Sequence, residues 1–212
     1  MTFDSNAIND VLTVAKRLDQ KGILNAIEGN ISVRKGDLVY ITPSGKNKAY
    51  LTEDMISVID MDGRLLKGFK ASSEYKLHLH AYKLRADIGG MVHAHPTYLT
   101  AYALLNKPVE TKAYPEMMVV YGSIQVAAYG RPGTDDIYRD VGRILKNENV
   151  LLLANHGAMA VGETVFDAMN ALEAAESSAR ILTVASTLGK VKELSDEECQ
   201  ALLLQHEERM GR

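Results

Sequence analysis

The apolar residues of this chain are parcelled into short runs, and that parcelling limits the folds open to it. The segments IGGMVHAH (88–95), MMVVYGSIQVAAY (117–129) and NVLLLANHG (149–157) suit buried strands. The longest uninterrupted apolar stretch, VLLLA at 150–154, is far short of the roughly 20 residues that a bilayer-spanning helix needs. Helical patterns lie between and around these runs. Ile8, Val11, Leu12, Ala15 and Leu18 recur at helical spacing, with Asp4 or Ser5 as the cap and Gly22 as the stop. Further helices are expected in EYKLHLHAYKLR after Ser73, from Asp135 to Lys146, from Thr164 to Leu188, and after a capping box formed by Ser195 and Glu198. ISVRKGDLVYIT reads as two strands about a Gly-Asp turn, and SVIDMDGRLL repeats the pattern about Asp62-Gly63, so the sheet opens antiparallel.

No repeat, linker or low-complexity segment divides the chain. Its 212 residues, 46% of them hydrophobic, are enough for one large core, and a single domain over 1–212 is expected. The 24 basic and 27 acidic side chains leave a formal charge of -3 and form no basic block, which speaks against nucleic acid or a membrane surface as partner. Cys199 is the only cysteine, so no intrachain disulfide is available, and MTFDSNAIND lacks the apolar core of a secretory signal. A cytoplasmic location is expected.

His93 and His95 carry the first chemical signal. Residues two apart on a strand share a face, so both imidazoles point the same way. That suits one zinc or another divalent ion, although structural histidines at a strand end would have the same spacing. His78 and His80 fall on an expected helix, where two positions subtend roughly 200°, so they cannot chelate together and packing is their better reading. His156 follows the apolar run VLLLA and precedes Gly157, in a turn from which an imidazole can reach a neighbouring strand end. His206, beside Glu207 and Glu208 on the last helix, reads as part of a solvated face.

Three small polar elements, EGN (28–30), TPSG (42–45) and SSE (72–74), each begin or end a regular element and expose backbone N–H groups and hydroxyls. Ser72 and Ser73 precede a helix, whose N-terminal amides favour an anion. Taken singly, Ser73 is a cap and Gly45 a turn residue; taken together the elements suit a phosphate. Glu74, in the first turn of that helix, either serves the dipole or acts as a base.

The ordered set EGN, TPSG, SSE, HAHP and NHG resembles the class II aldolase/adducin family, from the first helix to LSDEE near the end. The resemblance implies an α/β, three-layer α/β/α sandwich with a mainly antiparallel central sheet, assembled as a homotetramer with active sites between subunits. It implies His93, His95 and His156 as zinc ligands, or ligands of another divalent ion. It further implies Gly29, Asn30, Ser44, Gly45, Ser72 and Ser73 around the phosphate of a small sugar phosphate, Glu74 as acid/base, and Tyr114 of TKAYPE reaching into a neighbouring subunit's site. A partly buried interface tyrosine is the other reading of Tyr114.

The implied activity is reversible cleavage of a 1-phosphoketose to dihydroxyacetone phosphate and a short aldehyde. A Lewis-acidic ion would stabilise the developing negative charge, so no Schiff-base lysine is needed. The same scaffold hosts a pentulose-phosphate 4-epimerase, a sugar-acid phosphate decarboxylase, dehydratases and noncatalytic adducin-like heads. Glu74 argues against the epimerase, where the family resembles an aspartate, and Ser73 argues against the decarboxylase, where a lysine tends to stand. Pro132 in YGRPGT departs from the aromatic that helps line the aldehyde side in the aldolases, which leaves the choice of short aldehyde open.

Overall fold

The computed structural model describes residues 3–211. Helix α1 (Ser5–Gln20) starts where the Asp4 carboxylate accepts the N–H groups of Asn6 and Ala7, and it ends at Lys21 before Gly22. Strands β1 (Asn30–Lys35) and β2 (Leu38–Ile41), then β3 (Ser57–Asp60) and β4 (Leu65–Lys67), form the two expected antiparallel hairpins. After α2 (Tyr75–Leu84) come β5 (Gly90–Ala94), α3 (Thr97–Leu104), α4 (Pro115–Tyr121), β6 (Val126–Ala127), α5 (Val141–Leu145), β7 (Val150–Leu153), β8 (Gly157–Gly162), α6 (Val165–Leu188) and α7 (Asp196–Arg209).

The eight strands make one sheet in the order β4-β3-β2-β1-β5-β8-β7-β6, antiparallel throughout except for the short β6–β7 pair. Side chains alternate across it and so divide the core in two. Val92, Ala94, Leu152, Ala158 and Ala160 pack with α1, α3, α4 and α6 on one face. Met91, Leu151, Leu153, Met159 and Val161 pack with α2 and α5 on the other. This is the expected α/β/α layering around a mostly antiparallel sheet. Because helices cover both faces, β5, β7 and β8 are buried along their whole length, which is why they read as continuous apolar runs.

Four expectations are corrected. The start of the second apolar run belongs to helix α4, with Pro115 in its first turn, and only Val126–Ala127 of that run pairs as a strand. Proline at a first helical turn gives up no hydrogen bond, because the N–H it lacks has no intrahelical partner there. The segment Asp135–Lys146 is a 3-10 turn over Asp135–Tyr138 followed by α5. His206 is buried rather than solvated: α7 packs on α4, and the His206 Nδ1–H donates to the Val119 carbonyl at 3.3 Å. The capping box expected at Ser195 and Glu198 forms only by half, the Ser195 side chain accepting the Glu198 N–H, whereas Thr164 and Asp167 at the start of α6 make both bonds of such a box. No helix among the described residues is long and apolar enough to cross a membrane.

Candidate active site

The candidate site lies where β1, β5 and the β7–β8 turn meet the start of α2. In the β1–β5 register Asn30 stands opposite His93. His93 and Met91 share a face of β5, so the His93 ring points into the α2 layer. His95 follows the strand on the same side. The β7–β8 turn is tight: Asn155 takes φ 56°, and the His156 N–H donates back to the Leu153 carbonyl at 3.0 Å. This projects His156 toward the other two histidines, with ring centroids 4.7 Å from His93 and 4.9 Å from His95.

Two glycines permit the approach. A Cβ on Gly157 would stand 2.5 Å from Cδ2 of His95 and 2.6 Å from the Ala94 carbonyl oxygen. A Cβ on Gly29 would stand 2.8 Å from the His93 carbonyl oxygen, and Gly29 takes φ +72°, which L side chains rarely adopt.

His93, His95 and His156 each offer a nitrogen within 4.8 Å of the others. Nδ1–H of His93 donates to the Ala158 carbonyl at 2.9 Å, and Nδ1–H of His95 donates to Glu28 at 3.1 Å. Both Nε2 atoms therefore carry lone pairs, and they stand 3.2 Å apart. Two imidazoles on a tetrahedral zinc with bonds of about 2.0–2.1 Å have nitrogens roughly 3.3 Å apart. Burial disfavours the charged ring at His93 and, with the neighbouring His93, pushes His156 down to about 3, so these two rings are neutral as ligation requires. His156 Nδ1 is buried without a partner. The donor set fits one divalent ion.

Glu74 caps α2 without bonding to the helix. Its Oε2 accepts the Asn30 amide N–H at 2.7 Å and lies 3.4 Å from His93 Nε2, while its Oε1 lies 3.4 Å from His156 Nε2 and has no hydrogen-bond partner. Burial opposes the carboxylate, while positive charge at His93 and His156, which an ion held by the neutral rings would supply, and the Asn30 hydrogen bond favour it, so Glu74 lies below its ordinary value. A buried chain orients Asn30. Nε2–H of His78 donates to the Asn30 side-chain oxygen at 2.5 Å, Ser32 donates its hydroxyl to His78 Nδ1 at 2.6 Å, and Tyr82 lies 2.7 Å from Ser32.

A cleft of about 220 Å³ opens beside Glu74. Gly29 and Asn30, Ser44 and Gly45, and Ser72 and Ser73 all line it, with His95, His156 and Pro132. The two serine loops are stitched together: the Ser72 N–H donates to the Thr42 carbonyl at 3.2 Å, and the Ser44 N–H to the Lys70 carbonyl at 2.9 Å. Tyr114 does not line the cleft; it caps α4 and packs partly buried against the α1–α3–α6 side of the core. His80 stacks on Tyr138, apart from the cluster. Glu28, Lys48 and the polar role of His78 were not singled out from sequence. His78 had a local signal, since it stands one helical turn from Glu74, and Glu28 opens the EGN element; Lys48 had none.

Comparison with known proteins finds relatives over most of the chain. The sequence profile of the Class II Aldolase and Adducin N-terminal domain matches residues 9–183. The chain is 34% identical over 166 residues to an L-fuculose phosphate aldolase of Methanocaldococcus jannaschii, covering 78% of this chain and 89% of that protein. It is 35% identical over 179 residues to a 3-oxo-tetronate 4-phosphate decarboxylase of Haemophilus influenzae, covering 82% and 85%. A solved L-fuculose 1-phosphate aldolase superposes with a TM-score of 0.86 at 30% identity, covering 96% of this chain and 97% of that one.

Proposed function

The chain belongs to the class II aldolase and adducin family, and from that premise we propose that it is a zinc-dependent aldolase. It would cleave a 1-phosphoketose, such as L-fuculose 1-phosphate, reversibly to dihydroxyacetone phosphate and a short aldehyde. The observation that carries this reading is the position of the Glu74 carboxylate, 3.4 Å from two of the clustered histidines and on the wall of the cleft that the serine and glycine loops line.

His93, His95 and His156 would hold the ion, which supplies Lewis-acid polarisation of the ketose oxygens. The side chains and amides of Gly29, Asn30, Ser44, Gly45, Ser72 and Ser73 would bind the phosphate at a distance from the reacting bond and so hold the ketone in place beside the histidines. Cleavage leaves the C3–C4 electron pair on C3, and Glu74 would pass to that carbon a proton that balances the one given up by the C4 hydroxyl. In the reverse direction its carboxylate removes the same proton. The C4 hydroxyl must lose its proton as the aldehyde forms. Tyr114 is proposed to serve that oxygen from a neighbouring subunit of a homotetramer, in keeping with its place outside its own chain's cleft.

The decarboxylase relative favours a second reading, because loss of carbon dioxide from a 3-oxo acid phosphate also leaves negative charge beside a carbonyl held in such a site. Ser73, where the resemblance places a lysine in decarboxylases, weighs toward the aldolase. A panel of 1-phosphoketoses, 5-phosphoketoses and 3-oxo acid phosphates decides between them. Release of dihydroxyacetone phosphate from a 1-phosphoketose supports the aldolase; carbon dioxide release with no aldol cleavage overturns it.

A further inference from the structure

Lys48 sits in the 3-10 turn Lys48–Tyr50, just beyond the TPSG segment, and is buried on the wall of the cleft with 2% of its surface exposed. Its ammonium donates to the carbonyls of Ile27 at 2.8 Å and Lys46 at 3.0 Å. An ammonium has three N–H bonds, so two are spent on neutral oxygens and one remains. Burial, with no acidic neighbour offsetting it, pulls this lysine down to about 8, so it still carries its charge near neutrality.

A buried charge without a counter-ion is costly, and packing alone would be met by an apolar side chain of the same length. The charge therefore calls for an anion. Of the cleft-lining side chains, Glu28 and Glu74 are acidic, His95 and His156 belong to the histidine cluster, and Lys48 is the one lysine or arginine among the described residues. The hydroxyls and amides of the Ser44 and Ser73 loops are neutral donors, which can orient a phosphate but cannot balance a dianion. We propose that the Lys48 ammonium is the counter-charge of this anion site and makes the cleft selective for phosphorylated ligands over their unphosphorylated counterparts. The inference rests on the phosphate reading of the cleft and adds a residue to it. Through its bond to Ile27, Lys48 also ties down the loop that carries Gly29, so the test must separate charge from scaffolding.

Lys48→Gln keeps a donor but removes the charge, and Lys48→Arg keeps the charge. Calorimetric titration of the metal-loaded protein with inorganic phosphate at pH 7, repeated on metal-free protein, reads the anion site without turnover. Lys48→Gln should weaken phosphate binding by about 10- to 100-fold, the range expected for losing a hydrogen bond to a charged group. Lys48→Arg should stay within about threefold of the parent, and metal content and melting temperature should be unchanged in both. Equal affinity in the parent and Lys48→Gln would overturn the counter-charge while leaving the phosphate reading intact. Equal losses in both variants, with a lowered melting temperature, would assign Lys48 to scaffolding alone and overturn it too. A parent protein that binds no phosphate would overturn the inference together with the phosphate reading.

Discussion

The Nε2 atoms of His93 and His95 face each other 3.2 Å apart, and each ring has already committed its Nδ1 proton, one to the Ala158 carbonyl and one to Glu28. Two lone pairs in contact repel unless a cation lies between them. A proton on His93 would supply one, but burial disfavours the charged form of that ring. A divalent ion answers the same need and also engages His156. The protein should retain about one zinc per chain through extensive dialysis, read by elemental analysis. His95→Ala and His156→Ala should each lose it, and retention at the parent level would remove that residue from the metal site.

Gly157→Ala should damage the metal site. The new methyl would meet the His95 ring at 2.5 Å and the Ala94 carbonyl at 2.6 Å, so the ring and the end of β5 must both give locally. Zinc affinity measured against a competing chelator should fall by at least about tenfold, as for the loss of orientation at a metal ligand. Circular dichroism should show unchanged secondary structure.

Ser73→Ala should weaken binding of phosphorylated substrate and inhibitors by about 1.5–3 kcal/mol, the cost of losing a hydrogen bond to a charged group. Zinc content should not change, because Ser73 lies on a different chain segment from the histidines. The Michaelis constant and inhibitor affinity, read with a thermal melt, check this; values equal to the parent's would remove Ser73 from the anion site.

His78 sets a pH dependence of stability. Burial, then the neighbouring His93, pushes it down to about 3, below the ordinary histidine value of 6.5. Between these values the unfolded chain binds a proton that the folded protein refuses, so this contribution is fully present above pH 6.5 and is lost as pH falls toward 3. The loss amounts to about 1.4 kcal/mol per pH unit. In urea melts of metal-free protein between pH 6.5 and 5, His78→Gln should show a slope shallower than the parent's by about that amount. Identical slopes would show that His78 takes up its proton without unfolding the protein.

Much of the fold was legible because its signals are local. The β1–β2 and β3–β4 hairpins are announced by Gly36-Asp37 and Asp62-Gly63, and α1 and α6 by apolar spacing and capping. Residues 117–120 misled because four apolar residues in a row have no period; Pro115 at the first turn was the overlooked sign of a helix. Helix α3 escaped notice because Thr97–Leu104 is apolar nearly all round, and its start is held by a distant group, Glu176, whose carboxylate accepts the N–H groups of Tyr98 and Leu99 at 2.9 Å. His206 read as solvated because Glu207 and Glu208 flank it, whereas its burial depends on how α7 meets α4. In the candidate site, His93, His95, His156, Ser44, Ser72 and Ser73 each stood in a recognisable short motif. Lys48 did not, because its meaning comes from loops that meet only in the fold, Ile27 lying 21 residues before it.

The central claim is that Glu74 carries the proton at the carbon beside the ketone. Glu74→Gln keeps the length and the hydrogen bond to Asn30 but cannot act as a base. Deuterium exchange into the C3 position of dihydroxyacetone phosphate, followed by NMR with zinc-replete Glu74→Gln, isolates that step from aldehyde chemistry. Exchange should fall by at least about 100-fold, together with aldol cleavage and at unchanged zinc content. Exchange persisting at the parent rate in the zinc-replete variant would contradict the assignment and move the base elsewhere in the site.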